Sequence, residues 1–329
     1  MLQENMRFSE LDVAHHASRD VPPGSTCYER VYLWKEKDGE PTYCNLNAAY
    51  PRGLIFACDF RVAGIESNGK ETAGGYRWGR IINIDHHAHT KRMAQEVTST
   101  TLAIERVQAF GRPDCVAQVA INHTDCDSIL AAALLAGDLD PEDRFAEASI
   151  AADHTGEENE ITDLLQGLRR KHNYGLSLRN LKRLLSREPL EDAAKNALED
   201  RKRERREAET LARKVFGSVG GVSYATLEHN VDGCLFLPHL PQASAIVFAL
   251  PGKCSKDGMY RHGIKLWLGQ GRPDGLTLFA LRLKESGFDP HFSGRWNAGS
   301  NCYRGGTDLS PLAYAEEIAK RINTWVASH

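Results

Sequence analysis

A chain of 329 residues is long enough for two domains with a core each, and 41% hydrophobic against 26% charged residues excludes a disordered or disulfide-stapled scaffold. No apolar run approaches the roughly eighteen residues of a membrane span, and a formal net charge of -3 speaks against a protein that coats nucleic acid. The opening residues carry no basic stretch leading into an apolar core, so the expected compartment is the cytoplasm. The eight cysteines, with no C-x-x-C pair among them, read there as free and mostly buried thiols.

In chain order, Tyr28 to Trp34 and Tyr43 to Leu46 read as two strands around a polar turn at Asp38-Gly39, a hairpin decorating residues 1–50. From Leu54 to Gly156 four short apolar runs follow, at 54–58, 80–84, 115–121 and 148–152. Helical stretches lie between them: Thr98 to Phe110, closed by Gly111, and Ser128 to Ala136, closed by Gly137. Strand and helix in alternation predict an α/β fold over residues 1–156, a mostly parallel sheet with helices on both faces. Residues 157–216 carry no strand-like run and read as a helical connector. Between Arg169 and Lys214 stand 15 basic and 8 acidic residues, and the tract Arg201 to Arg206 reads as a solvated helix face held by i,i+4 pairs.

Residues 217–329 predict a second, smaller α/β domain. Its strands are expected at 222–227, 234–237, 245–249 and 264–268, with helices at 276–285 and 311–326 and a glycine-rich loop at 293–307.

The chemistry stands at the carboxyl ends of the first-domain strands. The four runs end in Asp59, in Asp85-His86-His87, in Asn122-His123-Thr124-Asp125-Cys126-Asp127 and in Asp153-His154. Ligands in open α/β sheets bind beyond the carboxyl ends of the strands, so these side chains are expected on one crest. Five aspartates so close together would repel one another unless cations neutralised them. Carboxylate with imidazole and no thiolate suits Mn²⁺, Mg²⁺ or Fe²⁺, and there are ligands enough for two ions. Thr90 and Ser128 stand where helix N-caps are expected, each aiming a helix amino terminus at the crest.

These residues resemble the DHH phosphoesterases, named for the tripeptide that stands here as Asp85-His86-His87. The likeness extends to Asp125-Cys126-Asp127 before a small-residue helix, to Asp59 ending a strand and to Asp153-His154-Thr155-Gly156. It implies a two-metal phosphoesterase, often manganese-dependent, with Asp59 as the bridging carboxylate and His86, His123, Asp125, Asp127 and Asp153 as terminal ligands. It also implies that His87 faces the phosphate, with Asp85 as its catalytic companion. The order of motifs differs, since the Asp-x-Asp element normally comes first; and the family histidine often lies four residues ahead of that element, where His123 lies two ahead. The later loop resembles the substrate loop of the accessory domain without its Gly-Gly-His core. Gly294, Arg295, Asn297, Gly299, Arg304, Gly305, Gly306 and Thr307 are its candidate substrate-binding residues, and Trp296 or Tyr303 could stack on a base.

The expected function is thus hydrolysis of a small phosphorylated substrate, a nucleotide, dinucleotide or short oligonucleotide, with two divalent cations, Mn²⁺ first. Pyrophosphate or polyphosphate cleavage, a catalytically silent metal or nucleotide sensor and redox chemistry on iron are the alternatives. Long duplex nucleic acid and membranes are not expected partners, and a homodimer is left open.

Overall fold

The computed structural model describes residues 31–35, 40–50, 53–87, 97–112, 117–254, 260–302 and 305–329. The chain divides into two units, Met1–Ser149 with Leu164–Ala194, and Ile150–Asp163 with Lys195–His329. In the first, β1 (Val31–Leu33), β2 (Ile55–Cys58), β3 (Lys70–Thr72), β4 (Gly75–Trp78), β5 (Ile81–Ile84) and β6 (Gln118–Ile121) form one sheet in the spatial order β1-β6-β2-β5-β4-β3. The pairs β1–β6, β6–β2 and β2–β5 are parallel, and β5–β4 and β4–β3 are antiparallel. Every residue of β2 and β5 is buried, as a central parallel strand read from an unbroken apolar run should be.

Helices α1 (Tyr43–Ala49), α2 (Ile65–Asn68), α3 (Ser99–Phe110) and α4 (Cys126–Leu135) belong to this unit. A capping box between Thr98 and Thr101 starts α3, and Gly111 at φ +75° stops it, both ends where the sequence puts them. The cap of α4 is Asp125, whose carboxylate accepts the Ser128 N–H, so the expected Ser128 cap is corrected. Thr90 lies outside the described residues.

The expected hairpin at the amino terminus does not form. Thr42 caps a helix over Tyr43–Ala49, and Val31–Leu33 pairs in parallel with β6 as a sheet edge. The antiparallel extension is instead β3–β4, turning on Ala73-Gly74. The expected strand at 148–152 is also replaced: Asp143–Ile150 is helix α5, continued by a π-helical turn, Ala151–Thr155.

The helical reading of residues 157–216 holds as α6 (Glu160–Leu168), α7 (Tyr174–Leu185) and α8 (Asp192–Lys214). In the second unit β7 (Gly217–Val219), β8 (Val222–Thr226), β9 (Ala245–Cys254), β10 (Tyr260–Leu268), β11 (Ser293–Gly294) and β12 (Ala298–Ser300) form a sheet in the order β11-β12-β10-β9-β8-β7. Only β8–β9 is parallel. The run 234–237 is a 3-10 segment, Gly233–His239, capped by Asp232 and buried with Phe236 against Phe248. Residues 276–285 form turns rather than the expected regular helix, the 293–307 loop contains the β11–β12 hairpin, and α9 (Pro311–Ser328) closes the chain. No helix among the described residues is long and apolar enough to cross a membrane.

The basic tract of α8 is not simply a solvated face. Arg203 and Lys202 make exposed i,i+3 pairs, but Arg201 is 3% exposed and its guanidinium meets Glu204 at 2.7 Å, Asp232 at 3.1 Å and Asp163 at 3.9 Å. Arg205 donates to Asp163 and to the carbonyls of Gly156 and Glu157. Burial raises the Asp163 carboxyl even though Arg205 and Arg201 oppose it. Removing one partner of such a network strands the others without water, so Arg201→Ala is expected to cost about 3 kcal/mol of stability. Urea unfolding tests this, and a midpoint equal to the wild type would show that Arg205 alone suffices.

Candidate metal centre

Three adjacent parallel strands, β6, β2 and β5, bring the candidate residues of the first unit together. Because β2 lies between the other two, Asp59 just beyond it has Asp85-His86-His87 on one side and His123, Asp125 and Asp127 on the other. Asp59 is 1% exposed and takes a left-handed backbone, φ +59°, which costs a residue with a side chain about 1–2 kcal/mol. Its oxygens are aimed by two hydroxyls: Ser99 Oγ donates to Oδ1 at 2.9 Å and Ser128 Oγ to Oδ2 at 2.7 Å.

The two oxygens face different neighbours. Oδ1 lies 3.6 Å from His86 Nε2 and 3.7 Å from His87 Nδ1, whereas Oδ2 lies 3.0 Å from His123 Nε2. His123 Nε2 is also 3.2 Å from Asp125 Oδ2, while its Nδ1 contacts Asn122 Oδ1. His86 Nε2 is also 3.6 Å from Asp127 Oδ2. Asp127 is fully buried and accepts the first backbone N–H groups of α3, from Ser99 at 2.8 Å and Thr100 at 2.7 Å. Asp85 Oδ1 accepts from His87 Nδ1 at 2.7 Å; a carboxylate can only accept, so Nδ1 carries the proton.

The charges of this cluster are arranged as if around a cation. Burial alone would push the Asp59 carboxyl up, but His123, with His87 and His86 behind it, holds it well below the usual carboxylate range. Burial opposes charge on His123, yet Asp125 and Asp59 outweigh it and raise the imidazole well above its usual range. Asp85 Oδ2 is buried without a hydrogen-bond partner among the described residues, a further acceptor in want of a positive group. The donor set fits divalent cations. Asp59, His86 and His87 present ligand atoms within 4.8 Å of one another, and so do Asp59, His123 and Asp125. An ion with bonds of about 2.1 Å spaces neighbouring ligand atoms by about 3.0–3.4 Å. The separations of His123 Nε2 from Asp59 and Asp125, 3.0 and 3.2 Å, fall in that range, and those of Asp59 Oδ1 and Asp127 Oδ2 from His86 Nε2, both 3.6 Å, are slightly wider. Burial, and then the charges of Asp59, Asp127, Asp85 and Asp125, push up the thiol of Cys58, directly before Asp59.

Sequence reasoning did not single out Ser99, Thr100 or Asn83. Ser99 and Thr100 begin a helix whose Thr98 cap was legible, but nothing in the sequence shows that this helix end meets Asp127. His89, the remaining histidine near the tripeptide, lies outside the described residues.

In the second unit Asp153 sits in the π-helical turn rather than at a strand end. Arg295 holds it, Nη1 donating to Oδ2 at 2.8 Å and Nη2 to the Asp153 carbonyl at 3.0 Å. Asn297 Nδ2 lies 3.3 Å from the same carbonyl and 3.0 Å from His154 Nδ1. Arg295 and Asn297 therefore contact Asp153 and His154 of their own unit. Trp296 is 3% exposed with its ring 5.6 Å from His154, so the expected stacking face is covered and that role is corrected. Gly294 and Gly299 face each other across the β11–β12 hairpin. Gly305 and Gly306 take φ +123° and +67°; a Cβ on Gly306 would stand 2.6 Å from the His262 carbonyl, and Thr307 then pairs with His262 backbone to backbone. Tyr303 and Arg304 lie outside the described residues.

No protein-family profile matches the chain, and no curated protein matches it. Among solved structures it is similar to PggH, a pGpG-specific phosphodiesterase from Vibrio cholerae, at 10% identity and a TM-score of 0.43, over 75% of this chain and 81% of that one. It is also similar to the exonuclease RecJ bound to manganese, at 13% identity and a TM-score of 0.34, over 87% of this chain and 73% of that one. In its strand-end residues the chain resembles the DHH phosphoesterases.

Proposed function

We propose that the chain is a cytoplasmic two-metal phosphoesterase that hydrolyses a small phosphorylated substrate, a nucleotide, dinucleotide or short oligonucleotide. The observation that supports this most strongly is the division of Asp59, one oxygen toward His86 and His87 and the other toward His123. A first divalent cation would be held by Asp59, His123 and Asp125, and a second by Asp59, His86 and Asp127. On the resemblance alone, Asp153 is a further terminal ligand and the loop residues from Gly294 to Thr307 take substrate. Mn²⁺ is the favoured ion for a carboxylate and imidazole set, with Mg²⁺ and Fe²⁺ as the alternatives.

When bound, a pair of divalent cations makes a water acidic enough to attack phosphorus and offsets the charge gathering on the phosphate. The chain's own groups do the rest. Asp59, His86 and Asp127 are buried, whereas the side chains of His87 and His123 are 31% and 36% exposed, so the accessible side of the cluster is the imidazole side. Asp85 fixes His87 with its Nδ1 proton inward and leaves Nε2 to meet a phosphate oxygen or a departing one.

Metal content of the purified protein, with release of product from bis-p-nitrophenyl phosphate, p-nitrophenyl phosphate, pyrophosphate and a short dinucleotide, tests the reading. About two ions per chain, turnover abolished by EDTA and restored by Mn²⁺, and preference for the dinucleotide are expected. Preference for pyrophosphate would replace the substrate class, and bound metal with no turnover on any of the four would favour a sensor.

A further inference from the structure

We propose that Asn83 is the positioning residue of the bridging carboxylate, a role that rests on the two-metal reading above. Asn83 lies in β5, two residues before Asp85, and is 2% exposed. Its side chain crosses to the exit of β2, where Nδ2 donates to the carbonyls of Ala57 at 2.9 Å and Phe60 at 2.8 Å, and Oδ1 accepts the Val62 N–H at 3.1 Å. One amide thus grips the backbone on both sides of Asp59.

The reason for that grip lies in the left-handed turn. At Asp59 the strand has its last rung, the Asp59 N–H donating to the Ile84 carbonyl at 2.9 Å, and then leaves the ladder. Phe60 is 4% exposed and Val62 is fully buried, so their backbone groups have little water to turn to and need protein partners. Asn83 supplies both. A left-handed residue with a side chain persists only where its surroundings over-determine it, and here the surroundings are this amide. Ser99 and Ser128 aim the carboxylate oxygens, but they act on a side chain whose root Asn83 has already placed. With three backbone bonds made, the amide acts through Asp59 and is not itself a ligand.

The test is titration of the metal-stripped full chain with Mn²⁺, followed by calorimetry, together with the melting temperature of the stripped protein. Asn83→Ala and Asn83→Gln are compared with wild type and with Leu181→Ala, a core truncation at a fully buried site of α7 in the same unit, outside the metal centre. Both Asn83 variants are expected to bind both ions about 10- to 100-fold more weakly, the usual loss on removing the support of a metal ligand. Leu181→Ala is expected to melt earlier yet bind as wild type. Should Asn83→Ala not fold, Asn83→Gln, which keeps the amide but moves it by one methylene, gives the same reading. Wild-type affinity for both ions in the Asn83 variants would overturn the proposal, as would weakening of one ion alone, because a bridging carboxylate serves two. A wild-type chain that binds no Mn²⁺ would overturn the two-metal reading itself, an outcome distinct from either.

Discussion

Asp59→Ala is expected to leave the protein without either ion and to lower turnover by on the order of 10³-fold or more. Each half of the cluster borrows this one carboxylate: without it, one side keeps only His123 and Asp125, and the other keeps only His86 and Asp127. Asp127 cannot swing across to compensate, since both its oxygens are held by the first N–H groups of α3. Metal analysis and hydrolysis of bis-p-nitrophenyl phosphate read the two losses separately, and the melting temperature of the stripped variant separates loss of ligand from loss of fold. Full metal content in Asp59→Ala would rule out its bridging role.

His87→Ala should behave differently. The imidazole is the partly exposed member of the Asp85 pair, and its place is to meet a phosphate oxygen rather than to complete the ion shell. The variant should retain about two ions per chain while kcat falls by about 10²- to 10⁴-fold, the span usual for loss of a positioned acid or base. A flattened pH profile for kcat would accompany the loss. Loss of one ion in His87→Ala would instead make it a ligand.

Much of this cluster was legible because buried parallel strands write themselves as short apolar runs, and the polar residues that follow such runs stand out. Ile55–Cys58 and Ile81–Ile84 are of that kind, and so are the capped ends of the Thr98–Gly111 helix. The run at 148–152 misled because an alanine-rich stretch of five residues fits a buried strand and a helix equally, and only its continuity with Asp143–Ile150 decides between them. Cys234 to Leu237 failed likewise, as a buried 3-10 segment has no period of its own. Ser99 and Asn83, and the bond that Ser128 makes to Asp59, were invisible for another reason. Their partners lie 21 to 69 residues away, and a hydroxyl or an amide looks the same in the sequence whether it meets water or a carboxylate. The covered Trp296 shows the converse, a residue type suited to stacking that the core had already claimed.

The place of β2 between β6 and β5 has a consequence for how such a centre can change over generations. The carboxylate that reaches both neighbours must come from the middle of the three strands, whichever of them the ribosome makes first. Cutting the gene and rejoining it elsewhere would reshuffle the linear order of the aspartates and histidines, yet leave untouched who sits beside whom. Lineages can therefore drift apart in the reading order of their motifs while keeping one and the same arrangement of charge.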